Sequence, residues 1–128
     1  MQKKYLELLF KVVKGYKTPE MALARVRDSF LKELAPQVDQ YFKDREEVFK
    51  SFSKKKEDGT PDTLEVDGVQ KYQFPTDKTE EINKELVTLG DETVELKKAP
   101  ELKNIIEESS YETEVGETIQ IDEIIAKL

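Results

Sequence analysis

Apolar residues recur every three or four positions through much of the first half of this chain. Ala22, Val26, Phe30, Leu34, Val38, Tyr41, Val48 and Phe52 follow one another in steps of three, four or seven, with Arg45 filling one gap. That spacing places them on one face of a helix. Pro36 lies inside the run, yet the phase is kept on both sides of it. Two independent helices would have no reason to stay in register. The pattern therefore predicts one long helix over about 19–55, bent at Pro36, where the missing N–H and the clash with the Lys32 carbonyl cost roughly 3 kcal/mol. Thr18 is the expected N-cap, Pro19 suits the first helical position, and Glu20 complements the positive helix start. At 1.5 Å per residue such a helix would reach roughly 50 Å. That exceeds what a domain of this size covers by itself, so the surplus face predicts a protein partner or a second copy.

The rest of the chain alternates short elements. Leu6, Leu9, Phe10 and Val13 are spaced as on a helix, in a run also rich in β-formers, so either element fits 2–14; Gly15 would close it as a C′ glycine. "TLEVDGVQKYQF" (63–74) predicts a β-hairpin turning at Asp67-Gly68, with Leu64 and Val66 alternating before the turn and Tyr72 and Phe74 after it. A helix is expected over 75–90, capped by Thr76 or Asp77, closed by Gly90, and facing Ile82, Leu86 and Leu89 inward. Val94 and Leu96 alternate as in a strand over 92–98, and a short helix is expected over 100–109 from Pro100. Residues 111–121 read as β around Gly116, with one or two helical turns after Asp122. Helices first, then small mixed elements, predicts an α+β fold: an N-terminal helical hairpin containing the long kinked helix, then a small β-hairpin or mixed sheet and short helices. The length predicts a single domain over 1–128, helical over residues 1–57 and mixed over residues 58–128.

Composition narrows the chemistry. The 128 residues include no Cys, His or Trp. No disulfide, His-based triad or ordinary zinc site can be built from them. The cluster "YLELLFKVV" is too short and too charged to span a membrane, and no cleavable apolar leader follows the first lysines; a soluble, intracellular protein is expected. The charge is uneven. Residues 1–75 hold 15 Lys+Arg and 13 Asp+Glu, residues 76–128 hold 6 and 15, for a net −7. The acidic half disfavours direct nucleic-acid binding, which needs clustered cations.

Each candidate chemistry has a plain structural alternative. Pro61-Asp62 followed by Glu95 and Lys97 formally matches a metal-nuclease pattern, with Asp62 and Glu95 as Mg²⁺ ligands and Lys97 activating water. Glu-x-Lys is common in so charged a chain, and the two residues read better as solvent positions of a strand. The carboxylates of "DREE" (44–47) and "GDE" (90–92) read as solvated helix-surface charge rather than acid–base groups. The five glycines are dispersed, so no phosphate-binding loop exists. No catalytic residue, cofactor or metal site is expected. The aromatics of the long helix are first of all core residues, but Phe42 and Phe49 lie off the main stripe and predict a second apolar face.

The order of motifs "TPEMALARVRDSFLKELAPQVDQYFKDREEVFKSF", a charged turn, and "YQFPTDKTEEINKELVTLGDETVEL" resembles an uncharacterised family of short proteins carried by tailed phages, over roughly residues 18–97. The resemblance implies a phage or prophage origin, hence the host cytoplasm or the virion, and supplies no catalytic residue. Together these readings predict a non-enzymatic interaction protein. It would act through Phe42, Arg45, Phe49 and Phe52, since aromatics and Arg are the usual interface anchors, in particle assembly, host-protein binding or self-association. The alternatives are an acidic mimic of DNA that inhibits a host nucleic-acid enzyme, and a metal-dependent nuclease.

Overall fold

A computed structural model describes residues 1–96 and 101–128. A 3-10 turn over Lys3–Tyr5 leads into helix α1, Leu6–Lys14. The choice between helix and strand is settled by burial: Leu6, Leu8, Leu9, Val12 and Val13 are all buried. The adjacent pairs Leu8-Leu9 and Val12-Val13 cannot alternate as strand residues do; as a helix the five fall within an arc of about 160°, with Lys11 and Lys14 exposed on the opposite side. α1 is packed against the long helix on one side and against both C-terminal helices elsewhere.

Helix α2 runs without interruption over Met21–Phe52 and carries Pro36 inside it. Thr18 accepts a hydrogen bond from the Glu20 backbone N–H at 3.1 Å, but in a turn ahead of the helix, which starts later than the sequence predicts. The guanidinium of Arg27 donates to the Tyr16 carbonyl at 3.0 Å and fixes the chain's entry. Pro36 and Lys32 are both exposed. The carbonyl that proline leaves without an N–H partner therefore belongs to the solvent side of the helix, where water can satisfy it. Phe30, Leu34 and Val38 are buried on the opposite side, while Ala22, placed on the stripe by its spacing, is exposed.

Strands β1 (Thr63–Val66) and β2 (Val69–Tyr72) pair antiparallel in the register Thr63↔Tyr72 and Val66↔Val69. Asp67 (φ 52°) and Gly68 (φ 78°) both turn left-handed, the requirement of the two-residue turn that matches strand twist. Helix α3, Thr79–Asp91, follows a 3-10 turn over Thr76–Lys78. Neither Thr76 nor Asp77 makes a side-chain cap. Ile82 is buried and Leu86 and Leu89 are half-buried, the inward face expected.

Two C-terminal expectations are corrected. Among the described residues of 92–98 there is no strand: an isolated bridge joins Thr93 to Gln2, with Lys3 N–H donating to the Glu92 carbonyl at 2.8 Å and Val94 N–H to that of Met1 at 2.8 Å. The 3-10 turn at Lys3 ends the extended partner segment after a single pairing. Lys97, Lys98 and Pro100 lie outside the described residues. Helix α4 occupies Glu101–Glu107 and buries Leu102, Ile105 and Ile106. Residues 117–121 are not β but the start of helix α5, Glu117–Ala126. The alternation of Ile119 and Ile121 is also compatible with a helix, and Ile121, Ile124 and Ile125 follow helical spacing. Ile124 is buried, whereas Ile119 is exposed.

Two glycines act through space rather than cap geometry. Gly15 is right-handed (φ −75°), not the left-handed C′ residue the sequence suggests. A Cβ there would lie 2.8 Å from Ser109 Oγ and 3.0 Å from the Tyr111 nitrogen. Gly90 does not follow α3 but is buried within it, where a Cβ would lie 3.1 Å from the Tyr41 hydroxyl and 3.3 Å from Lys4 Cβ.

Candidate partner-binding surface

The distal half of α2 differs sharply from its middle. Its last buried residue is Val38; from Asp39 to Phe52 no side chain is buried, although Tyr41, Phe42, Val48, Phe49 and Phe52 all lie there. Val48, Phe49 and Phe52 are half-buried, and Phe42 is 39% exposed. The ring of Phe42 stands 6.4 Å from that of Tyr41, and the guanidinium of Arg45 lies over Tyr41 at 5.7 Å from the ring centre. Among the described residues Arg45 makes no ion pair.

The hairpin exit contributes what the linear pattern did not reveal. Phe74 sits 5.8 Å from Phe49, and the Tyr72 hydroxyl donates to Glu46 at 3.0 Å. Burial pushes the Tyr72 phenol above its ordinary value, and the bond to Glu46 adds to the shift. Phe49 is thus partly engaged within the fold, while Phe42 is left open. The pairing register shows why the hairpin has two unlike faces. Thr63 and Tyr72 share the face turned to α2, and Leu64, Val66 and Val69 share the other, where all three are exposed. The signal was present in the alternation around Asp67-Gly68, but only the Tyr72–Glu46 contact fixes which side meets the helix.

On the other side of Tyr41, α2 and α3 enclose a groove of about 360 Å³ lined by Lys4, Tyr41, Arg45, Asn83, Leu86 and Val87, with Gly90 and Asp91 at its end. Val87 is 62% exposed. Asp91 is paired with Lys4 at 3.1 Å, a hydrogen bond that raises the lysine's pKa.

The carboxylate clusters are held in surface pairs. Glu92 pairs with Lys3 at 2.6 Å, and Glu46 and Glu47 approach Lys50 at 3.8 and 3.7 Å. Asp44 accepts from Gln40 at 2.8 Å. The nuclease candidates are not brought together. Asp62 sits at the hairpin base, its N–H bonded to the Lys54 carbonyl, while Glu95 lines a cavity with Met1 and Leu102; Lys97 lies outside the described residues. Among the described residues no group of three or more carboxylates gathers to hold a metal, and no helix is long and apolar enough to cross a membrane.

The architecture defines an α+β protein in which a 32-residue helix is anchored at its middle and carries half-covered aromatics toward its end. The chain belongs to the family described as Protein of unknown function (DUF1617), whose model matches residues 1–128. No curated protein and no solved structure matches it.

Proposed function

We propose that this protein is a non-enzymatic interaction protein, and that the distal half of α2 with the adjoining hairpin is its protein-binding surface. The observation that carries this reading is the aromatic content of Tyr41–Phe52, which the chain's own fold leaves half-buried or, at Phe42, exposed. Phe42, Arg45, Phe49 and Phe52 supply residue types that dominate interface energetics. The resemblance of residues 18–97 to short tailed-phage proteins supports a role in particle assembly or in binding a host protein, in the host cytoplasm or on the virion.

Alanine replacement tests this surface. Phe42→Ala should weaken self-association, read by light scattering over a concentration series, or retention of a partner co-purified from the host, at nearly unchanged melting temperature. Phe49→Ala should do the same with a modest loss of stability, since its pair with Phe74 contributes about 1 kcal/mol. Unchanged binding in both variants would refute the assignment. Added salt separates the aromatic part of this surface from an acidic DNA-like one, because binding that rests on charge alone would be lost while contacts through Phe42 and Phe49 would persist.

A further inference from the structure

The groove between α2 and α3 offers apolar surface at Leu86 and Val87 and, at Arg45, a guanidinium with no carboxylate partner among the described residues. A ligand that fits it brings an apolar side chain and a negative charge close together. The same chain presents such a structure. Between Tyr111 and α5 the segment "ETEVG" (112–116) projects Val115, which is 106% exposed, with Glu112 and Glu114 beside it. Gly116 turns left-handed (φ 87°) with open space around it, so this stretch is a protruding tip. Ile119, one turn into α5, is 67% exposed and extends the apolar side of the tip. Among the described residues Glu112 has no hydrogen-bond or ion-pair partner.

Groove and tip sit at opposite ends of α1. The groove includes Lys4, just before the helix; the tip is tied to Gly15, just after it, by the Ser110 N–H and hydroxyl, which donate to the Gly15 carbonyl at 3.0 and 2.6 Å. Eleven residues of helical rise separate these points by roughly 16 Å, so a chain cannot fill its own groove. We infer that the groove headed by Arg45 receives the 112–116 tip of a second copy of this chain, Val115 against Leu86 and Val87, and Glu112 and Glu114 toward Arg45. Because the two surfaces differ, the contact is head-to-tail and repeats until it closes into a ring or continues as a filament. The inference rests on the proposal that distal α2 binds protein, and names the partner of one side of it.

A charge exchange tests this directly by sedimentation velocity. Wild-type protein should self-associate with rising concentration. Arg45→Glu, which makes both surfaces acidic, and the double variant Glu112→Lys, Glu114→Lys, which makes both basic, should each associate roughly tenfold or more weakly, because like charges facing one another suppress an interface. Mixed in equal amounts, the two variants should associate again, each junction pairing opposite charges. Val115→Ser, at a site with no buried atoms to disturb, should weaken association without change in melting. A wild type that stays monomeric at every concentration, or variants that associate like wild type, would overturn the inference. In either case Phe42→Ala still reports separately on whether distal α2 binds another protein.

Discussion

Gly15→Ala probes how the N-terminal helix is joined to the C-terminal segment. The C-terminal carbonyls of α1 need partners from outside the helix. Ser109 donates its hydroxyl to the Val12 carbonyl at 2.5 Å, and Ser110 donates twice to that of Gly15. This docking requires a bare α-carbon. A methyl there would stand 2.8 Å from Ser109 Oγ, 3.0 Å from the Tyr111 nitrogen and 3.1 Å from its Cβ. Ordinary carbon contacts are about 3.5–4.0 Å, so the segment must retreat by roughly half an ångström or more. Overpacking of this kind costs about 1–3 kcal/mol, and each loosened hydrogen bond adds about 1. Alanine's stiffer unfolded chain returns up to about 1 kcal/mol. We expect a net loss of about 2 kcal/mol, seen as a urea midpoint lowered by roughly 1 M at unchanged slope, followed by circular dichroism. Ser109→Ala removes the nearest atom, so the double variant should be about 1 kcal/mol less destabilised than the sum of the singles. A neutral or stabilising Gly15→Ala would refute the docking as described.

Leu34→Ala removes a fully buried side chain from the only buried stretch of α2 and should cost about 2–5 kcal/mol in the same assay, against little change for Phe42→Ala. Pro36→Ala restores an N–H for the Lys32 carbonyl at an exposed position, so stability should rise by up to about 3 kcal/mol; a loss would show that the proline's geometry is needed to seat both halves of the helix. The Glu117 carboxylate is held below the usual glutamate range, chiefly by the Glu114 backbone N–H and further by the Tyr111 hydroxyl and Lys11. A depressed folded value means that its contribution is present above the ordinary carboxylate range and lost as pH falls through the folded value. Amide protection at the start of α5, taken relative to the intrinsic exchange rate at each pH, should fall on acidification over that window in wild type, and Glu117→Gln should abolish the dependence.

Much of the fold was legible because its signals were local. Asp67-Gly68 dictated a two-residue turn, and the register followed. The continuous phase across Pro36 foretold a single α2. The readings that failed depended on partners distant in sequence. Ile119 and Ile121 alternate as strand residues do, but Ile124 is buried in the shared core while Ile119 is exposed, so the helical reading wins through tertiary packing. Val94 and Leu96 alternate too, yet the segment available to pair with them is 1–3, which turns away at once. Gly15 and Gly90 carried the composition of helix stops, whereas their use is close approach to Tyr111, Tyr41 and Lys4. Of the candidate surface, Phe42, Arg45, Phe49 and Phe52 were readable from spacing. The pairing of Phe49 with Phe74 and the groove at Arg45 required knowing where the hairpin and α3 dock.

The central position of α1 sets a timetable for folding on the ribosome. This helix leaves the exit tunnel long before α4 and α5, which cover its sides. Until those residues emerge, Leu6, Leu8, Leu9, Val12 and Val13 lack the cover of Leu102, Ile105, Ile106 and Ile124, so the nascent chain carries an unfinished core while the intervening residues are made. Closure then comes late and from a long sequence distance, which slows folding relative to a chain built on local contacts.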